Sequence, residues 1–150
     1  MRNIKFRGKL VDGGRWVKGS LLEFPDGEVY IAYQDDSGNT QELRKDPVRK
    51  ETVGQFTGLF DKNAVPVYEG DVIQSPLGNI VAVEFGYKEH NVKHGLLSVT
   101  DCFAAYGWIA RNVKNDVTDF LDDEFLRGLV IGNLHDNPEF RNGKNNTIQR

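Results

Sequence analysis

The sequence has little of several features on which whole functional classes depend. It contains one cysteine, Cys102, and three histidines in 150 residues. A single cysteine cannot form an intrachain disulfide, which is typical of a reducing compartment. No apolar run approaches the roughly 20 residues that span a bilayer, and the N-terminal MRNIKFRGKL lacks the apolar segment of a secretory signal. These absences predict a cytoplasmic protein without a membrane partner.

The charges are unevenly distributed along the chain, although the net charge is only −3. Residues 1–18 hold six basic residues and one acid, whereas residues 116–124 hold five acids and no base. The simpler interpretation is two solvated faces of opposite sign. The sharper one is a basic patch that binds a polyanion such as nucleic acid. The candidate binding residues are then Arg2, Lys5, Arg7, Arg15, Trp16 and Lys18.

Short runs of alternating or β-branched residues between turn formers predict an all-β fold. Residues 1–54 predict an N-terminal β meander of about four strands, with turns at DGG (12–14), PDG (25–27) and DDSGN (35–39). Residues 55–140 predict a second small β unit that resembles an SH3-like barrel, joined through a junction at 55–74. At most one short helix is expected, over 116–124 with Asp116 as its N-cap. Residues 88–95 are expected to form a polar loop, and residues 141–150 a disordered tail.

The junction QFTGLFDKNAVPVYEGDVIQ (55–74) is dense in turn-forming residues. Asp61 and Asn63 predict a turn, with Asn63 suited to a left-handed conformation. Gly70 predicts a positive φ, and Asp71 a side chain bonded to backbone near the junction. The alternative is a site: Glu69 and Asp71 lie two residues apart and could face one side of a strand as an acid–base pair or cation ligands.

Other chemistry-bearing residues have simpler explanations. His90 and His94 have the i, i+4 spacing of a helical metal pair, but their neighbours favour an exposed loop. Cys102 is expected to be a small buried residue, and no phosphate-binding glycine motif is present. The sequence therefore predicts no catalytic residue, no metal and no cofactor. Six aromatic residues could form a surface on which bases stack, but core packing is the favoured interpretation: Trp16, Tyr30, Tyr33, Tyr87, Tyr106 and Trp108.

Three blocks of sequence resemble the YopX-like family of phage and prophage proteins. They are IKFRG (4–8), TGLFDKNAVPVYEGDVI (57–73) and VIGNLHDNPEF (130–140). Ala64 departs from the glycine common in the family, and His135-Asp136 from its usual Tyr-Glu pair. The resemblance implies a largely β protein of phage or prophage origin with no established activity, so no catalytic residue is carried over. The positions that match the family pattern are Thr57, Gly58, Asp61, Asn63, Tyr68, Glu69, Gly70, Asp71, Gly132, Asn133, Asn137 and Pro138.

Taken with the lack of a coherent catalytic set, the resemblance predicts a non-enzymatic accessory protein in the host bacterial cytoplasm. We expect it to act by binding a protein: a host or phage factor, or itself as a homo-oligomer. The alternative is a nucleic-acid-binding module that uses the basic N-terminal hairpin. An enzyme centred on Glu69 and Asp71 is the third hypothesis.

Overall fold

The computed structural model describes residues 1–38, 40–94 and 99–141, including all their side chains except those of 90–94 and 99–103. Antiparallel strands dominate this part of the chain and lie in two sheets, so the predicted all-β fold with two β units is confirmed. The strands are β1 (Phe6–Lys9), β2 (Trp16–Glu23), β3 (Val29–Asp35), β4 (Glu42–Pro47), β5 (Gly54–Phe60), β6 (Pro66–Tyr68), β7 (Asp71–Gln74), β8 (Ile80–His94), β9 (Val99–Asn112), β10 (Thr118–Phe120) and β11 (Leu129–Asn133).

The first unit comprises residues 1–59 and 66–69. Its sheet has the strand order β4-β3-β2-β1-β5-β6, in which β1 to β4 are neighbours in chain order. Alternation along these strands places every second side chain on one face. That face carries a buried cluster of Val17, Val29, Ile31, Tyr33 and Val48, with Phe6, Leu10, Leu21 and Val53 packed against it.

The second unit comprises residues 60–65 and the chain from residue 70 onward. Its sheet has the strand order β10-β9-β8-β7-β11. The predicted hairpin around the SPLGN turn is β7 and β8, which pair antiparallel from Val72↔Ala82 to Gln74↔Ile80. The buried residues of this unit include Val72, Ile73, Val81, Ala82, Val83, Ile109 and Ala110. The five strands form an open order, and the SH3-like resemblance stays a prediction.

Residues 88–94 are part of a strand rather than the expected polar loop. β8 continues to His94 and pairs in unbroken antiparallel register with β9, from Val81↔Asn112 to His94↔Val99. Cross-strand pairing thus outweighs the polar composition that favoured a loop. The histidine pair at 90 and 94 therefore lies on a strand, and those side chains, like that of Cys102, lie outside the described ones.

The predicted helix is shorter and begins later than expected. The structure has a helix α1 over Asp123–Leu126, and its N-cap is Asp122, whose side chain accepts from the backbone N–H groups of Glu124 and Phe125. Asp116 is not the cap. It has φ +58° in the turn that joins β9 to β10. Residues 118–120 form β10 because their backbone pairs with residues 109–111 of β9.

Two short 3₁₀ turns, Lys50–Thr52 and Pro138–Phe140, complete the elements of the described chain. Within that part of the molecule, no helix has both the length and the hydropathy needed to cross a membrane. The predicted disordered tail falls almost wholly on residues 142–150, which lie outside the described residues.

Candidate protein-binding surface

The junction glycine has the conformation that the sequence predicts. Gly70 has φ +85°, in the left-handed region that a side chain disfavours. Its N–H donates to the Val83 carbonyl at 2.8 Å and its carbonyl accepts from Leu134 N at 2.9 Å. Asp71 follows in β7 with only 2% exposure, while Glu69 is half-buried in the first unit. The predicted bond from Asp71 to backbone stays a prediction.

Asp61 fastens the turn of the junction to the last strand of the second unit. Its Oδ1 accepts the N–H groups of Asn63 (2.8 Å) and Val65 (2.9 Å). Its Oδ2 accepts the N–H of Val130 in β11 at 2.9 Å. Burial works to raise the pKa of this carboxyl, but the three backbone donors outweigh it and lower the pKa. The carboxylate is therefore bonded as a structural clamp.

The left-handed residue of this turn is Ala64, with φ +60°, and not Asn63 as the sequence suggested. The Ala64 N–H donates to the Asp61 carbonyl at 3.0 Å, which closes the turn. The alanine therefore keeps the turn and carries the steric cost of a Cβ in the left-handed region.

The C-terminal block of the family pattern folds on itself. The Asn133 side-chain oxygen accepts the N–H groups of His135 and Asp136, both at 2.9 Å. Asn137 Oδ1 accepts Asn133 N at 3.3 Å. A Cβ on Gly132 would lie 2.3 Å from that same Oδ1, so a larger residue here would displace the Asn137 side chain. Pro138 then begins the final 3₁₀ turn.

The part of the junction that belongs to the first unit contains three further positions of the family pattern, namely Thr57, Gly58 and Tyr68. Thr57 Oγ1 donates to the Val67 carbonyl at 2.8 Å, and Gly58 has φ +84°. Tyr68 is buried and packs against Phe56, with ring centroids 5.4 Å apart. The positions that match the family pattern thus serve turns, backbone bonds and packing.

Some of the predicted basic residues share one face of the N-terminal hairpin. The register pairs Arg7 with Lys18 and Lys9 with Trp16 across β1 and β2. Arg7 is buried, and its guanidinium lies 4.8 Å from the Trp16 ring centroid and 5.1 Å from that of Tyr68. Its Nη2 also donates to the Glu69 carbonyl at 3.3 Å. Arg7 is therefore part of the packed interior of the first unit. Lys9 is half-buried and Lys18 is exposed.

Arg15 is not part of that group. Its guanidinium contacts the Tyr33 hydroxyl at 3.3 Å and Asp35 Oδ2 at 3.6 Å, and Tyr33 belongs to the opposite, core face of the sheet. Arg2 and Lys5 are exposed before β1 begins. The structure thus brings together Arg7, Trp16 and Lys18 and separates them from Arg15.

An exposed row of aromatic side chains stands on one face of the β8–β9 ribbon. Phe85 pairs with Trp108, and Tyr87 with Tyr106, in successive rungs of the ladder. The ring centroids are 5.2 Å apart in the first pair and 5.3 Å apart in the second. Phe85 is 56% exposed, Tyr87 49% and Tyr106 76%. We call these four residues the aromatic ladder.

The ladder continues the rows of side chains that form the core of the second unit. Val83 and Ala110, the pair before Phe85 and Trp108, are buried. Side chains on this face are therefore buried at Val83 and Ala110 and exposed at the ladder, although they stay hydrophobic throughout. The sequence named three of the four residues but favoured core packing and missed Phe85. Aromatics at 85 and 87, and again at 106 and 108, have the period of two that places them on one face.

Comparison with protein-family models matches residues 5–140 to the family described as YopX protein. The chain belongs to the YopX family. The match covers nearly the whole chain, and it contains all three sequence blocks apart from Ile4. No curated protein matches the chain. In this YopX protein, no group of three or more metal-ligating side chains gathers among the residues that the structure describes.

Proposed function

We propose that this YopX protein is a non-enzymatic accessory protein of a phage or prophage that acts in the host cytoplasm by binding another protein through the aromatic ladder. The observation that carries the proposal is the exposure of Phe85, Tyr87 and Tyr106 in one contiguous row. Tyr, Trp and Phe are enriched at protein interfaces and at their energetic centres. A row of exposed rings on a monomer commonly marks an interaction site.

The polar candidates support binding more than catalysis. Asp61 is used by three backbone donors, and Asp71 is buried. A protein-binding role does not require either of these carboxylates to take part in a reaction.

The test is capture of partners from phage-infected or prophage-carrying cells with wild-type protein, Tyr106→Ala and a matched control, Leu43→Ala. Leu43 is 85% exposed in β4 of the first unit, so its truncation removes a similarly exposed apolar side chain away from the ladder. We expect the same partner with wild type and L43A and its loss with Y106A. Equal recovery with all three proteins would contradict the proposal. Light scattering of the purified protein shows whether the partner is a second copy.

A second candidate, nucleic-acid binding, is favoured by the shared face of Arg7, Lys9, Lys18 and Trp16. Against it, Lys9 and Lys18 already lie 5.5 Å from the ring centroids of Trp16 and Tyr68, which provides an intramolecular use for these cations. An electrophoretic shift of single-stranded DNA that weakens with salt and is lost in a Lys9→Ala, Lys18→Ala double variant would support this candidate.

A further inference from the structure

The aromatic ladder leads into a small cavity in the same unit. The cavity has a volume of about 160 Å³ and an apolar lining of Val81, Ala110, Val117 and Phe125. Its polar lining consists of Asn79, Asn112, Asn115 and Asp119. The cross-strand pairs Val81↔Asn112, Val83↔Ala110 and Phe85↔Trp108 follow one another in register. The cavity and the ladder are therefore two parts of one sheet face.

The polar lining of the cavity includes one carboxylate, that of Asp119, while the side-chain oxygens of Asn112 and Asn115 already accept backbone N–H groups. Asp119 Oδ1 accepts the N–H of Phe120 at 2.8 Å, and no residue of the described chain donates to its other carboxylate oxygen. Asp119 pairs with Ala110, which places it on the ladder face. Two further acids, Asp123 and Glu124, are exposed in α1 directly before the lining residue Phe125. A cationic group is the complement of these three carboxylates.

The described side chains of the ladder face carry charge of the same sign. Apart from the rings, those on the outer ribbon are Glu89 and Ala104. The rungs that follow, Asn91↔Cys102 and Lys93↔Thr100, have side chains outside the described ones. Two basic residues on the opposite face of the ribbon are already used: Arg111 bonds to Glu84 and Asp116 at 2.7 and 3.0 Å, and Lys88 donates to the Thr118 carbonyl. A phosphate backbone would meet carboxylates on this face, so its charge disfavours nucleic acid as the occupant.

The spacing of the ladder fits an extended peptide. Rungs two residues apart lie about 6.5 Å from each other along a strand, and side chains on one face of an extended peptide recur at the same interval. Exposed aromatic faces also attract Lys and Arg side chains. Apolar and basic side chains of one strand-like segment can therefore follow the rungs.

We infer that the ladder and the cavity together bind an extended, cationic peptide segment of a partner protein, with one Lys or Arg side chain in the cavity opposite Asp119. This inference rests on the proposed function and adds the chemistry of the partner. Asp119 is the residue that selects charge, and the aromatic ladder provides the apolar contact.

The test is calorimetric titration with two synthetic twelve-residue probes, one alternating leucine and lysine and one alternating leucine and glutamate, and with oligothymidylate. We expect only the lysine peptide to bind, more weakly as salt rises. Asp119→Asn should weaken it roughly five- to tenfold, and Tyr106→Ala about tenfold. Glu51→Gln, the same change of charge at an exposed position in the first unit, should leave binding unchanged.

Three results would overturn the inference. The first is binding of oligothymidylate or the glutamate peptide in preference to the lysine peptide. The second is no binding of the lysine peptide. The third is that D119N and E51Q weaken binding of the lysine peptide equally. The two proposals fail separately. If the lysine peptide does not bind but Y106A still loses its cellular partner, the partner chemistry is wrong and the interaction surface stands. If Y106A keeps its partner, the proposed function fails as well.

Discussion

Replacing Asp61 by alanine removes an acceptor that three backbone N–H groups share. The donors are Asn63, Val65 and Val130, at 2.8 to 2.9 Å. A buried donor left without an acceptor costs about 1–3 kcal/mol. Asn63 and Val65 are exposed residues of the turn, so water can replace part of their loss. We therefore expect Asp61→Ala to lower the free energy of unfolding by about 2–5 kcal/mol, a large fraction of the total for a small domain.

Asp61→Asn is the sharper variant because it preserves the shape of the side chain. The asparagine keeps one side-chain oxygen, which can accept either from the turn or from Val130. In either arrangement its NH₂ group faces a backbone N–H that has lost its acceptor. The expected loss is about 2–3 kcal/mol, which urea unfolding followed by circular dichroism would show as a lower midpoint with an unchanged slope. Asp26→Asn is the matched control. Asp26 accepts one backbone N–H, that of Glu28, in an exposed turn, and its loss should stay within about 0.5 kcal/mol.

The pH dependence tests the same clamp. The backbone donors hold the pKa of Asp61 below its ordinary value despite burial. A lowered folded-state pKa gives stability that is present above the unfolded pKa, near 3.9, and lost as pH falls through the folded value. The difference in the free energy of unfolding between wild type and D61N should therefore become smaller as pH falls below about 4. A D61N midpoint equal to wild type at pH 7, or a gap that stays constant on acidification, would refute this reasoning.

Three further predictions concern stability, each measured by urea unfolding at pH 7. Gly132→Ala should destabilise by about 2 kcal/mol or more, because its Cβ would lie 2.3 Å from Asn137 Oδ1; an unchanged midpoint would show that the loop can move aside. Ala64→Gly should stabilise by about 0.5–1 kcal/mol, since φ +60° is disfavoured for alanine; a loss of stability would contradict the left-handed turn. Arg7→Lys should lower stability by about 1–2 kcal/mol, because an ammonium cannot stack as a planar guanidinium does beside Tyr68; a neutral result would mean that charge alone matters there.

Much of the fold could be predicted because its signals are local. The turns DGG, PDG and SPLGN, together with alternating apolar residues, place β1 to β4 and the β7–β8 hairpin. The positive φ of Gly70 follows from its position between two acids at the start of a strand. These features depend on neighbouring residues, which the sequence shows directly.

The features that the sequence did not predict depend on partners distant along the chain. Polar residues at 88–94 form a strand because β9 pairs with them. Asp122 rather than Asp116 caps the helix because pairing with β9 already takes residues 118–120. The sequence suggested a surface cation at Arg7, whereas the structure buries it 4.8 and 5.1 Å from the ring centroids of Trp16 and Tyr68.

The candidate site divides in the same way. Aromatic residues at every second position indicated that these side chains share one face of the β8–β9 ribbon. The sequence does not show whether that face is buried or exposed, because this depends on the other elements of the second unit. β7 pairs with β8 only as far as Ala82, and β10 with β9 only over residues 109–111. The ladder lies beyond these residues, where the described chain pairs no further strand with the ribbon.

The central claim is that the aromatic ladder is the surface that meets a partner protein. It is tested most directly by photocrosslinking in host cells with p-benzoylphenylalanine in place of Tyr106, and in parallel in place of Leu43, the exposed control position in the other unit. The account predicts a discrete, light-dependent protein adduct from position 106 and none from position 43. No adduct from position 106, or the same adduct from both positions, would contradict it.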